Sequence, residues 1–547
     1  MPYRRRIKRR SAQAHVHGPL TASQTSAPGE PQPLYTDLEA NLHAIQETLG
    51  SSTDIIIRKL PIGHNGERSM AILYTDGLAD QKIITDFIMK SVMLDINIFG
   101  QTDRTVDPPS DVVLALKSYA LTIGDVRDIS DFDTLYLALL SGDTVILVDG
   151  QDQGVVCSTR GWKDRGVSEP AAENVVRGPR ESFVESLRTN TSLIRRKIKD
   201  PHLWLETMQI GRITRTDVAI MYIKGIANDE VVQEVRDRLN RIDVGSILES
   251  GYIEESIQDE TFSPFPTIFN SERPDVIAAE LMEGKVAILV DGTPFVLVVP
   301  ALFVSFLHAS EDYYQRADIS SFIRLLRYLG ILISLLGPSL YVAITTFHQE
   351  MLPTQLLISL AAQREQVPFP AFIEAVLMEL TFEILREASI RMPKNIGAAI
   401  SIVGTLVIGQ AAVQAGIVSA AMVIVVAITA IASFVLPAYN MSIAFRLLRF
   451  PYMALAASFG LFGIIVGIIA LVLHLCSLRS FGIPYMAPFA PLIPVDNKDS
   501  IIRLPHWMLL TRTRLISKNN SRRRNSTPPK KSREAEPDMT GKTKKET

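Results

Sequence analysis

The sequence predicts an α/β duplicated cytoplasmic domain followed by an α-helical polytopic membrane domain. Three observations carry this reading. Charge is concentrated in one half of the chain, two segments of that half recur at nearly equal offsets, and the other half holds uncharged tracts longer than a bilayer requires. Over 547 residues the formal net charge is −2 and 21% of residues are charged, averages that conceal the division. Up to Asp318 no apolar run approaches membrane length, whereas Tyr328 to Leu478 contains three long tracts without charge. The length itself exceeds what one hydrophobic core organises.

The N-terminus comes first. Met1 to Arg10 carries six Arg or Lys, followed by a polar Ser/Ala/Pro stretch without the apolar core of a signal peptide. Residues 1–34 read as a disordered basic arm with a single aromatic, Tyr3, and no nucleic-acid partner is expected. The charged half is therefore expected on the cytoplasmic side. The only two cysteines, Cys157 and Cys476, lie in different halves, which fits unpaired thiols in a reducing compartment.

The repeat follows. Ala71–Ala79 (AILYTDGLA) recurs as Ala219–Ala227 (AIMYIKGIA) at an offset of 148, with five identities in nine. Gly142 with Ile146–Gly150 (ILVDG) recurs as Gly284 with Ile288–Gly292 at an offset of 142. Conserved order at nearly equal offsets indicates duplication. Each copy reads as an apolar strand, a break at glycine, a helix (Asp80 to Met93, then Asp229 to Leu239), and a hairpin whose Asp-Gly supplies the positive φ of a tight turn. The expected domains are subdomain 1 over 35–157, a polar linker with helices over 158–205, and subdomain 2 over 206–318.

The same Asp-Gly pairs lack the clustered glycines, Lys and Ser/Thr of a phosphate loop. The chain has no Gly-x-Ser-x-Gly elbow and no His-Glu-x-x-His pair, and its nine histidines do not cluster. No catalytic residue, cofactor or metal site is expected, and the protein is not read as an enzyme.

A span needs about 20 apolar residues, because the hydrocarbon core is about 30 Å thick. Within a transmembrane domain over 319–480, four spans are expected at about 328–347, 396–414, 418–438 and 453–476. Asn395 to Phe445 holds no Asp, Glu, Lys or Arg in 51 residues and reads as two crossings around Gln414-Ala415-Gly416. In the last span Gly463 and Gly467 stand at the separation that lets helices approach closely. Residues 497–547 contain 14 Lys or Arg against five Asp or Glu, so the tail belongs inside. This topology leaves Arg446 and Arg449 in an external loop. The Pro-rich then basic tail covers 481–547, with Ile501 to Ile516 expected along the membrane surface.

Residues 351–390 read as a non-spanning insert, a short apolar piece (Met351 to Leu360, including Gln355) and then a helix from Ala371 to Ile390. Such an element is tolerated at membrane depth only where protein or a water-filled cavity surrounds it. At 100° per residue Glu379, Glu383, Arg386 and Glu387 share one face and Glu374 falls opposite. Gln355, Glu374, Glu379 and Glu383 are the candidate pore or gating residues, since carboxylates ringed around an axis attract cations. The bland alternative is an amphipathic helix with internal Glu–Arg pairs.

Several stretches between about residues 50 and 490 resemble the A subunit of GerA-type germinant receptors of spore-forming bacteria. They are Arg177-Gly-Pro-Arg-Glu-Ser-Phe183, Pro264 to Pro266 with Ser271-Glu-Arg-Pro-Asp275, Ile288 to Phe295, Glu311-Asp-Tyr-Tyr314, Glu379 to Glu387 and Gly404 to Gly416. The resemblance implies a spore inner-membrane complex with a transporter-like B subunit that recognises the nutrient and a lipoprotein C subunit. It also implies A subunits that self-associate into a homo-oligomer in the lipid bilayer and conduct ions. The competing reading is a non-conducting scaffold that couples the B and C subunits to downstream machinery. A transporter or membrane enzyme fits less well, because the repeat is in the polar half.

Overall fold

The computed structural model describes residues 31–62, 68–90, 125–161, 170, 173, 175–391 and 409–517. Most of the basic arm, most of the expected span 396–414 and the tail beyond 517 lie outside the described residues.

The first unit contains α1 (Leu38–Leu49), β1 (Ile55–Ile62), β2 (Arg68–Thr75), β3 (Val126–Ile129), α2 (Phe132–Leu139), β4 (Thr144–Val148) and β5 (Gly154–Cys157). The second contains α3 (Leu187–Lys197), β6 (Leu203–Ile210), β7 (Thr216–Ile223), α4 (Asp229–Asn240), α5 (Ser250–Ile257), β8 (Phe269–Ser271), α6 (Pro274–Met282), β9 (Val286–Val290) and β10 (Val296–Val299). Each forms an antiparallel five-stranded sheet, in the orders β1-β2-β4-β5-β3 and β6-β7-β9-β10-β8. The registers match as well as the orders. Ile72 pairs with Ile146 in the first sheet and Ile220 with Ile288 in the second, the positions related by the two sequence offsets. Central strands β4 (TVILV) and β9 (VAILV) are buried throughout. Such β-branched and apolar runs suit strands covered on both faces.

The repeat begins earlier than its strands suggest. The Leu38 N–H donates to Asp149 Oδ1 at 3.2 Å and the Leu187 N–H to Asp291 Oδ1 at 2.9 Å, so each turn aspartate satisfies the N-terminus of its unit's first helix. Asn41 and Asn190 repeat a second device, each bonding both backbone groups of the residue six positions before it, Tyr35 and Val184. Helix α3, expected in the linker 158–205, therefore belongs to the second unit, where Leu187, Leu193 and Ile194 join the core. Its signal was hidden because Arg195, Arg196 and Lys197 dominate its composition. Gly142 and Gly284 hold φ of 90° and 94° while their Cα faces the carbonyls of Leu78 and Ile226, a conformation and proximity that only glycine permits.

The helical half comprises α7 (Ala317–Phe347), α8 (Thr354–Glu365), α9 (Ala371–Arg391), α10 (Ala420–Phe434) and α11 (Tyr439–Ser477). Among the described residues, α7 and α11 are long and apolar enough to cross a membrane. Helix α11 is not straight. Gly460 has φ 60° and ψ −141°, and beyond it the chain doubles back. A side chain at Gly467 would touch Tyr452, 15 residues earlier. The Phe265 ring reaches both Phe445 and His474, which a straight helix would hold about 43 Å apart. The expected single span 453–476 is therefore two antiparallel arms, 439–459 and 461–477. Gly463 and Gly467 face the first arm at Leu455 and Tyr452.

This hairpin re-sorts the bundle. Helix α7 begins beside the second unit and ends where Phe347 and His348 meet Gly460. Arg446 and His474 lie toward the unit-proximal end and Arg449 sits midway along the first arm beside Ser334 of α7, so neither arginine is in a loop on the far side. Helix α9, expected within a non-spanning insert, runs lengthwise beside α7, α10 and α11. Its Glu374 end meets Ser419 at the distal start of α10, and Arg386 meets Ser433 near the proximal end. The charges that argued against immersion have partners inside the bundle.

The tail also departs from expectation. Residues 479–517 fold back onto the second unit, including the stretch 501–516 expected along the membrane surface. Ser480 Oγ accepts from the Ala301 N–H at 2.9 Å, Arg512 Nε donates to the Met282 carbonyl at 2.7 Å, and Ser517 Oγ donates to the Ile226 carbonyl at 2.9 Å.

Candidate functional site

Two polar clusters stand out, one where the α/β half meets the bundle and one within the bundle. The first is at the base of α7. Asp312, in the helical turn Glu311–Tyr314, is buried and accepts from Arg324 Nε at 3.0 Å and Arg327 Nη1 at 2.5 Å. Arg324 Nη1 also donates to Asp499 of the tail, at 2.8 Å to Oδ1 and 2.5 Å to its carbonyl. Tyr313 Oη donates to Asp499 Oδ2 at 2.8 Å. Two carboxylates thus balance two guanidiniums. Burial opposes the Asp312 carboxylate, but the hydrogen bond and charge of Arg327, with those of Arg324, hold it below the ordinary carboxylate range. Burial pushes the Tyr313 hydroxyl far above the usual phenol range.

The same turn reaches the other motifs. Tyr314 Oη donates to Asp275 Oδ2 at 2.5 Å, Asp275 pairs with Arg273 at 2.9 Å, and Arg273 Nη2 donates to the Pro179 carbonyl at 2.9 Å. The Phe183 N–H donates to the Glu272 carbonyl at 2.8 Å. Gly178, at φ 144°, packs so closely on the Tyr314 ring that a Cβ would stand 2.7 Å from it. Three stretches 177–183, 271–275 and 311–314, separated in sequence, form one contact surface.

The second cluster is inside the bundle. Glu379 of α9 and Arg449 of α11 are both buried and paired, and Arg449 Nε donates to the Ser334 carbonyl of α7 at 2.8 Å. Glu383 pairs with Arg446 at 2.8 Å and lies 3.7 Å from Arg386. Arg386 Nη2 donates to Ser433 Oγ at 2.9 Å and its guanidinium lies 4.7 Å from the Phe434 ring. Glu374, fully buried, accepts from the Ser419 N–H at 2.6 Å and its Oγ at 2.5 Å, at the N-cap of α10. There the helix macrodipole favours a negative group. Among the described residues, one oxygen each of Glu374, Glu379 and Glu383 has no hydrogen-bond partner.

The structure gives all three α9 carboxylates partners inside the bundle, Glu374 on the side of Ser419 and Glu379 and Glu383 on the side of Arg449 and Arg446, and leaves Gln355 exposed on α8, apart from them. Sequence reasoning missed Ser334, Ser419, Arg446, Arg449 and Asp499. The available signal was Arg446 and Arg449 themselves, two cations one helical turn apart in a tract that otherwise reads as membrane. Among the described residues no group of three or more His, Cys, Asp or Glu could hold a metal ion.

The architecture is that of a duplicated α/β unit fused through buried ion pairs to an apolar helix bundle. The chain belongs to the Bacillus/Clostridium GerA spore germination protein family, whose model matches residues 43–515. Spore germination protein KA of Bacillus subtilis (strain 168) is 50% identical over 88% of this chain and 87% of its own length. Spore germination protein GerLA of Bacillus cereus is 40% identical over 89% of this chain and 97% of its own. A crystal structure of the N-terminal domain of the A subunit of the Bacillus megaterium spore germinant receptor GerK3 is 42% identical. It covers 50% of this chain and 99% of its own, with a TM-score of 0.40.

Proposed function

We propose that this chain is the A subunit of a nutrient germinant receptor in the spore inner membrane, where it oligomerises, transduces the nutrient signal and conducts ions. The observation that carries the reading is the Asp312 cluster, which ties the surface formed by 177–183, 271–275 and 311–314 directly to the base of α7. A displacement of the second unit moves Asp312, and through Arg324 and Arg327 it moves α7. The B subunit recognises the nutrient, the C subunit is the lipoprotein partner, and both termini lie on the spore-core side. In this reading six segments cross the bilayer: α7, α9, α10, the two arms of α11, and the span expected from hydropathy at about 396–414, most of which lies outside the described residues. An even count returns the tail to the side of the duplicated unit, and Arg446 and Arg449 are held inside the bundle by Glu383 and Glu379 rather than in an external loop.

A second reading is favoured by the pairing of Glu379 and Glu383 with arginines. Neutralised carboxylates attract cations weakly, so the chain would serve as a non-conducting scaffold between the B and C subunits and downstream machinery. Purified oligomers in liposomes separate the two. Cation flux supports conduction, whereas sealed vesicles combined with lost nutrient germination in the deletion strain support the scaffold. Normal nutrient germination in a strain lacking this receptor alone contradicts both.

A further inference from the structure

The loop between α5 and β8 is pinned to the point where α11 leaves the bundle. Asp259 accepts from the Phe481 N–H at 2.7 Å and pairs with Arg238 at 2.7 Å. Ser263 Oγ lies 2.9 Å from His474 Nε2, and the Thr267 carbonyl accepts from Ser480 Oγ at 2.7 Å. Phe265 packs edge-on against Phe445 with centroids 5.7 Å apart. Between these anchors Phe262 is 95% exposed.

What lies beside it is apolar. Toward the same end of α11, Leu447 on one arm and Leu473 on the other are 61% and 66% exposed, and Ile443 and Val472 extend the belt. Phe262 continues that belt onto the second unit. Within 258–268 it is the exposed large apolar side chain. A protein hot spot needs a surrounding ring of contacts to exclude water. A single aromatic ring needs none to enter the headgroup level, where aromatic side chains concentrate.

We propose that Phe262 inserts into the headgroup–acyl boundary of the bilayer and holds the second α/β unit against the membrane surface. This rests on the reading of α11 as membrane-crossing. The docking fixes the height of the Asp312 cluster relative to the bundle, so that motion of the unit is converted into tilt of α7 rather than free rotation.

The test uses the full chain with Cys476→Ser, since Cys157 is buried, in phosphatidylcholine vesicles. Phe262→Cys carries an environment-sensitive NBD label. Ile213→Cys carries the same label at the β6–β7 turn, at the opposite end of the second sheet from Ala301 and the exit of α11. Lipids with a shallow doxyl spin label should blue-shift and quench the label at 262 at least about twofold more than at 213, as interfacial burial requires. Equal, water-like emission at both sites overturns the proposal, as does shielding at 262 that appears only when partner subunits are added. Ile469→Cys, on the exposed face of α11, reports separately on the underlying reading. Deep doxyl quenching there with none at 262 removes the anchor alone, and none at either site removes both.

Discussion

Arg195 of α3 holds Asp54, the residue before β1, with Nε and Nη2 at 2.8 and 2.9 Å, and both side chains are buried. Arg195 Nη1 adds a bond to the Leu203 carbonyl at 2.6 Å, and beside it the Thr53 N–H donates to the Leu205 carbonyl at 3.2 Å. The pair fixes the two repeats to one another. Asp54→Ala leaves a buried guanidinium without its counter-charge, a change that costs about 3–5 kcal/mol. Thermal unfolding followed by near-ultraviolet circular dichroism should show the loss. Replacing both residues with apolar side chains should recover most of it, because the stranded charge is then gone.

Glu379 and Arg449 stand in the same relation inside the bundle. Glu379→Ala should reduce the yield of folded protein in detergent by an amount consistent with about 3–5 kcal/mol. Glu379→Gln paired with Arg449→Met should restore it. If the restored double variant also supports normal cation release, Glu379 is a structural partner of Arg449 and not a pore charge.

The hairpin in α11 is testable by distance. Cysteines at Tyr452 and Gly467, with Cys476→Ser, should be joined by a short thiol crosslinker, whereas a straight helix would hold them about 22 Å apart. Gly460→Ala should abolish the crosslink, because at φ 60° and ψ −141° a residue with a Cβ is strained by about 1–3 kcal/mol and this Cβ would also meet Phe347 and His348.

Burial pushes the Cys157 thiol up to about 12, with the charge of Asp143 adding to it. The thiol therefore stays protonated in the folded first unit at neutral pH, and maleimide should label Cys476 quickly and Cys157 only after unfolding. The sign of the linkage follows. The folded unit keeps a proton that the unfolded chain releases near 9, so this contribution is complete below 9 and disappears as pH rises towards about 12. Rapid labelling of Cys157 at neutral pH would contradict its burial.

The repeat was legible in the sequence because its strands and turns are built from short recurring runs, AILYTDGLA matched at five of nine positions and ILVDG at all five. The helices that open each unit were not, since a basic composition masked the apolar face of α3 and the caps Asp149 and Asp291 act from more than 100 positions away. Hydropathy found the uncharged tracts. It misjudged α9, because Glu379, Glu383 and Arg386 count as costs until Arg446, Arg449 and Ser433 are known to face them. It missed the turn in α11, because the three glycines of that tract, Gly460, Gly463 and Gly467, are as compatible with close packing as with reversal. The tail was misassigned for a related reason: Asp499 read only as part of the Pro-rich then basic tail and Arg503 as part of a surface stretch, although Arg324 and the Tyr313 carbonyl receive them.

The most direct test of the account is the rate of nutrient-triggered cation release from spores whose only such receptor carries Asp312→Asn, with the subunit quantified in the inner membrane. The expected result is release slowed at least about tenfold per subunit present in the membrane, the consequence of about 1.4 kcal/mol of lost coupling. Release at the wild-type rate would show that the α/β unit does not act on α7 through Asp312, and would contradict the account.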